Sequence, residues 1–151
     1  MSLTERLRAD LNQATKAGDK TRVSTIRLLI ANINNAQIAK GKDSPLDEGE
    51  ILTVVQKQAR QHRESIDAFA KGNRGDLVAK EEAELKVLLD YLPQQMSKDE
   101  IAATVRKVIE EVGARGPADK GKVMSKVMAQ IKGQAQGAEV NAVVSELLAG
   151  L

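Results

Sequence analysis

At 151 residues, 29% charged and 42% apolar, the chain has the composition of one folded domain or two small ones, which excludes a disordered segment. With no cysteine it has no disulfide, thiolate nucleophile or cysteine metal site, and no apolar run approaches the roughly 18 residues of a membrane helix. Its net charge of +2 is unevenly spread: residues 1–42 carry eight basic against three acidic side chains, residues 43–100 eight against thirteen, and residues 101–151 seven against five.

Basic ends of this kind either meet a polyanion or are ordinary solvated helix faces. One Phe, one Tyr and no Trp disfavour a partner read by base stacking. Any nucleic-acid contact then runs through backbone and shape. The start, Met1 to Asp10, has no signal-peptide core, and a cytoplasmic protein is the simplest reading.

Taken in chain order, Ser2-Leu3-Thr4-Glu5 fits a capping box, and Leu3, Leu7, Leu11 and Ala14 give the inner face of a first helix ending near Gly18. Val23, Ile26, Leu29, Ile30 and Ile33 step by three and four in a second helix, with Asn34-Asn35 near its end. After the break at Gly41 to Pro45, Asp47 and Glu50 cap a third helix to about Lys71, whose stripe includes Val55, Ala59, His62 and Ile66. Gly72 to Gly75 make a turn, and Asp76 is the expected cap of a fourth helix. That helix is buried by Leu77, Leu85, Leu88 and Leu92 and stopped by Pro93, which lacks an amide hydrogen.

Leu92 to Met96 is the expected boundary between residues 1–93 and 97–151. Ser97 to Glu100 is another capping box, opening a fifth helix that Gly113 to Pro117 stops. Val123, Met124, Val127, Met128 and Ile131 make one stripe of a sixth helix, with Lys122 and Lys126 opposite it, i,i+4 apart. Gly133 to Gly137 turn the chain into a seventh helix lined by Val140, Val143, Val144, Leu147 and Leu148. β-branched residues are frequent in the last three helices, but spacing by three and four rather than alternation decides for helix. The fold expected is all-α, about four helices followed by a small three-helix domain.

Candidate chemistry is sparse. His62, the single histidine, lies on an apolar stripe and reads as a packed residue, since no second histidine or cysteine offers a metal-ligand spacing. Arg60 to Ser65 with Asn73 to Asp76 reads as ion pairing of helix three to helix four, or an anion site, and Glu81, Glu82 and Glu84 as a solvated face. There is no Walker-type loop and no dinucleotide turn between strand and helix, so no cofactor is expected. The Gly133–Gly137 corner suits a positive-φ turn, and the amides opening the last helix offer a second use against a phosphate. Candidate nucleic-acid contacts are Lys120, Lys122, Lys126, Lys132, Gly133 and Gly137, with no catalytic and no metal residues.

Thr25-Ile26-Arg27-Leu28-Leu29, Arg63-Glu64-Ser65-Ile66, Asp90-Tyr91-Leu92-Pro93, Gly121-Lys122-Val123-Met124 and the Gly133–Gly137 corner followed by Val140-Asn141 together resemble the GatB/YqeY family. The resemblance is nearest to its stand-alone YqeY-like members and spans essentially the whole chain. It departs at Lys120, where the family pattern has Met, and at Gln136, where it has Asp.

The resemblance implies an all-helical fold with a three-helix tail. It also implies kinship with the tail of the B subunit of the tRNA-dependent amidotransferase, a carbon–nitrogen ligase with glutamine as amido-N-donor. Nothing here resembles that enzyme's catalytic cradle, so the expectation is a module that is not an enzyme alone. It would bind tRNA or associate with an amidotransferase. The alternatives are a helical protein-interaction module without RNA and a genuine amidotransferase component. No membrane and no small-molecule cofactor is expected among its partners.

Overall fold

A computed structural model describes residues 1–131 and 133–151. The chain is all-α: among the described residues there are seven α-helices, one 3-10 turn and no strand. It divides into two compact units, Met1–Pro93 and Gln94–Leu151.

The first unit holds α1 (Leu3–Ala17), α2 (Lys20–Lys40), α3 (Glu48–Lys71) and α4 (Gly75–Leu89). Ser2 and Glu5 close the expected capping box on α1, and Gly18 ends it at φ 71°, a left-handed turn that glycine takes without a Cβ clash. Asp19 follows at once and accepts from the Arg22 amide, so only two residues separate α1 from α2. Such a link returns the second helix along the first.

The second helix runs well past Asn34-Asn35, to Lys40. Gln37 explains the extension: its amide donates to Gly41 O and Ser44 O and accepts from the Leu46 amide, stitching the last turn to the following loop. Asp47 and Glu50 cap α3 as expected. The start of α4 differs from expectation. Arg74, not Asp76, stands at its N-cap, and Asp76 falls in the first turn under a two-point contact from the Arg74 guanidinium. That contact, the largest influence on it, holds the Asp76 carboxyl below its ordinary range.

The fourth helix also ends early, at Leu89, because Asp90, Tyr91 and Leu92 tighten into three-residue hydrogen bonds ahead of Pro93. This turn drops Tyr91 and Leu92 into the core with Leu7, Ile26, Leu29 and Leu88.

The second unit holds α5 (Lys98–Val112), a 3-10 turn at Pro117–Asp119, α6 (Lys120–Ile131) and α7 (Gly137–Ala149). The Ser97–Glu100 box opens α5, and Gly113 at φ 68° ends it. Asp119 accepts from the Arg115 amide and braces the turn before α6. Ile101, Val105 and Val108 meet Val123, Val127 and Ile131, and Val140, Val144 and Leu148 close a separate core. Short branched side chains suit this site because three helices of 12 to 15 residues leave little depth to fill.

Candidate functional site

The basic stretch of the second unit is built as its spacing predicts, but its lysines are not equivalent. Val123, Val127 and Ile131 are buried, and Lys122 and Lys126 are exposed one turn apart on the other side of α6. Lys126 Nζ lies 2.8 Å from Glu111 Oε2 of α5. Hydrogen bonding by Lys126, helped by the nearby charge of Lys107, holds the Glu111 carboxyl below its ordinary range. Lys126 is thus a paired cation, and Lys122 the one that projects without a paired acid among the described residues. Lys120 is half-buried at the head of α6, and Lys132 lies outside the described residues.

The two glycines also part company. Gly133 sits at φ 81°, and its carbonyl accepts from Gln95 Nε2 at 3.0 Å. Gly137 opens α7 outside the left-handed region, and a Cβ placed there would meet nothing within 4 Å. The N-cap Gln136 makes no side-chain cap bond, and its Nε2 is buried without a partner. On the same unit, Met96, Ile101, Ala142 and Val143 line an apolar groove of about 380 Å³ rimmed by Lys98, Glu139 and Glu146. Met124 and Met128 pack half-buried against the core.

In the first unit the fold gathers polar groups that look unrelated in the sequence. Arg60 pairs with Glu64 along α3, and Arg74 with Asp76 within one turn, so neither joins α3 to α4 as expected. His62 performs that junction. Its Nδ1 lies 2.8 Å from Glu81 Oε2 and its Nε2 3.7 Å from Glu84 Oε2. The expectation of a solvated glutamate face is therefore corrected for Glu81 and Glu84, whose side chains are only 18% and 14% exposed. They belong to the inner stripe Leu77, Glu81, Glu84, Leu88, stepping by four, three and four, whereas Glu82 points to solvent. That stepping is the sequence signal that finds them. His62, Glu81 and Glu84 each bring one ligand-capable atom within 4.8 Å of the others.

A second network surrounds Asp10. Tyr91 Oη donates to Asp10 Oδ2 at 2.5 Å, while Arg6 and Arg22 approach the same oxygen at 3.8 and 4.0 Å. Arg6 also donates to Asp90 O and stacks 4.7 Å above the Tyr91 ring. Burial first, then the Asp10 hydrogen bond, push the Tyr91 phenol up to about 12. The cluster ties the end of α4 to α1 and α2 and gives the Asp90–Pro93 segment a structural reason.

A sequence profile described as Yqey-like protein matches residues 4–148. The chain is 36% identical to the protein named "Altered inheritance of mitochondria protein 41, mitochondrial" of Eremothecium gossypii, over 95% of this chain and 79% of that protein. To proteins of the same name it is 39% identical in Lachancea thermotolerans, over 74% of this chain and 60% of the relative, and 31% identical in Saccharomyces cerevisiae, over 78% and 64%. It thus spans less than two thirds of the length of those two relatives.

The relatives' names correct the expectation of a generic cytoplasmic protein, since each is mitochondrial. The expectation rested on a start without a signal-peptide core and on missing cysteines. Neither distinguishes the cytoplasm from other compartments, because a secretory core is one targeting signal among several. Among the described residues no helix is long and apolar enough to cross a membrane.

Proposed function

The chain belongs to the YqeY-like family, and from that premise we propose that it is a non-catalytic module that docks on the phosphate backbone of tRNA, in association with a tRNA-dependent amidotransferase. The observation that carries the reading is the outer face of α6, where Lys122 projects freely and Lys126 stands one turn away beside Glu111. Two lysines, Lys126 and Lys107, act on Glu111, and Lys122 lies one turn of α6 from Lys126. Tyr91 is buried and Phe69 half-buried, so no exposed ring competes for bases, and contacts fall to phosphates. The compartment under this proposal is the one in the relatives' names, the mitochondrion.

We also infer that residues 1–93 and 97–151 are separate domains of four and three helices, a reading supported by two unconnected cores. Expression of 94–151 alone, with a cooperative thermal transition as the readout, tests this.

The functional test is a salt titration of tRNA binding by the full chain. Each phosphate contact contributes about −0.7 to −0.9 to the slope of log affinity against log salt. Lys122→Ala with Lys126→Ala should lower that slope by about 1.5 and weaken binding at every salt concentration. Absence of binding at low salt sinks the proposal, as does an unchanged slope in the double variant. The apolar groove beside Met96 favours a second reading, a protein-docking module. Recovery of a protein partner with no RNA would favour it over the first.

A further inference from the structure

We propose that His62, Glu81 and Glu84 form a binding site for a divalent first-row transition-metal ion of the zinc class, clamping α3 to α4 inside the first unit. Metal sites in helical bundles take ligands from facing helices, with histidine and glutamate spaced i,i+3 or i,i+4 so that they share an inner face. Here α3 supplies His62, and α4 supplies Glu81 and Glu84, three residues apart on its buried stripe.

Two ligands of one tetrahedral ion, each about 2.0–2.2 Å from it, lie roughly 3.3–3.6 Å from each other. His62 Nε2 and Glu84 Oε2 are 3.7 Å apart, and the three ligand atoms fall within 4.8 Å of one another. One ring nitrogen holds one ion, so with Nε2 as the ligand the Glu81 carboxylate, now 2.8 Å from Nδ1, turns towards Nε2 to complete the site.

The buried atoms supply an independent argument. His62 is 7% exposed, and its Nε2 has no hydrogen-bond partner. Glu81 Oε2 likewise has no hydrogen bond, and its polar neighbour is His62 Nδ1 at 2.8 Å. Buried polar atoms without partners are costly and rare in folded proteins. One cation that accepts electron pairs from the imidazole and both carboxylates satisfies them together.

Charge points the same way. Among the described residues no lysine or arginine pairs with Glu81 or Glu84 within 4 Å. With a neutral imidazole the three side chains sum to −2, and a divalent ion cancels it. An imidazole with carboxylates suits zinc and its neighbours, whereas calcium and magnesium take oxygen ligands throughout. Three protein ligands leave room for water at a fourth position. The site's role is to hold α3 and α4 together, and no reaction is assigned to it.

The experiment uses the full chain, produced without a histidine tag, stripped with a chelator and titrated with zinc chloride. His62 is the only histidine, so its imidazole resonances report on a single site. Expected results are one zinc retained per chain after desalting, perturbed His62 resonances, and an unfolding midpoint raised by about 5 °C or more at saturating metal and restored by chelator. His62→Gln and Glu84→Gln should each weaken zinc affinity at least about tenfold. His62→Lys places a tethered cation between the glutamates and should fold with no response to zinc. Less than about 0.2 zinc per folded wild-type chain overturns the proposal, as do unmoved His62 resonances or undiminished affinity in the glutamine variants. Should those variants fail to fold, the wild-type resonances and the lysine variant decide.

Discussion

Tyr91→Phe isolates one oxygen in a buried network and can be followed quantitatively. The substitution keeps the ring, its place in the core and its stacking under Arg6, and removes only the hydroxyl that donates to Asp10 Oδ2 at 2.5 Å. A hydrogen bond to a charged acceptor contributes about 1.5–3 kcal/mol. Asp10 keeps Arg6 and Arg22 near it and is 23% exposed, so the loss should fall at the low end, about 1–2 kcal/mol at pH 7.

The same contact has a pH signature. With its ionisation raised from the usual 10 to about 12, the phenol stabilises the fold while neutral. That contribution is complete below pH 10 and disappears as pH rises towards 12. Full conversion of the shift would amount to about 2.7 kcal/mol, and solvent screening near the partly exposed Arg22 and Asp10 reduces it to about 1 kcal/mol. Urea unfolding of wild type and variant across pH 7 to 12 measures both numbers. The difference between the two proteins cancels lysine ionisation, which they share. Variant stability within about 0.3 kcal/mol of wild type at pH 7, with parallel curves above pH 10, would refute the reasoning.

Other expectations follow from the same contacts. Gly133→Ala, forced to φ 81°, should cost about 1–2 kcal/mol by denaturant unfolding, whereas Gly137→Ala should be neutral or slightly stabilising. Ser97→Ala removes the acceptor for the Glu100 amide and should cost about 1 kcal/mol by the same assay. Leu88→Ala empties a fully buried position in the first core and should cost about 2–4 kcal/mol in calorimetry. Glu111→Gln releases Lys126 and should raise tRNA affinity about two- to fivefold at low salt, with the melting temperature unchanged. No change in affinity would remove Lys126 from the interface.

The helical architecture was legible because its signals are local. Capping boxes at Ser2, Asp47 and Ser97 and stripes such as Val123, Val127, Ile131 act within a few residues, and the structure keeps all of them. The ends of α2 and α4 were harder to read, because Gln37 and Tyr91 set them through side chains that reach across loops or into another helix. The lysines of α6 were placed on the correct face by periodicity. Only the neighbouring helix showed that Lys126 is paired and Lys122 is not. The glutamates of α4 make the sharpest case. Written in a row, Glu81, Glu82 and Glu84 look like one solvated run, and their separation depends on which face of the helix meets α3. Periodicity assigns each residue to a face, but the partner that a face meets is a property of the packed fold. His62 gained its two carboxylates there.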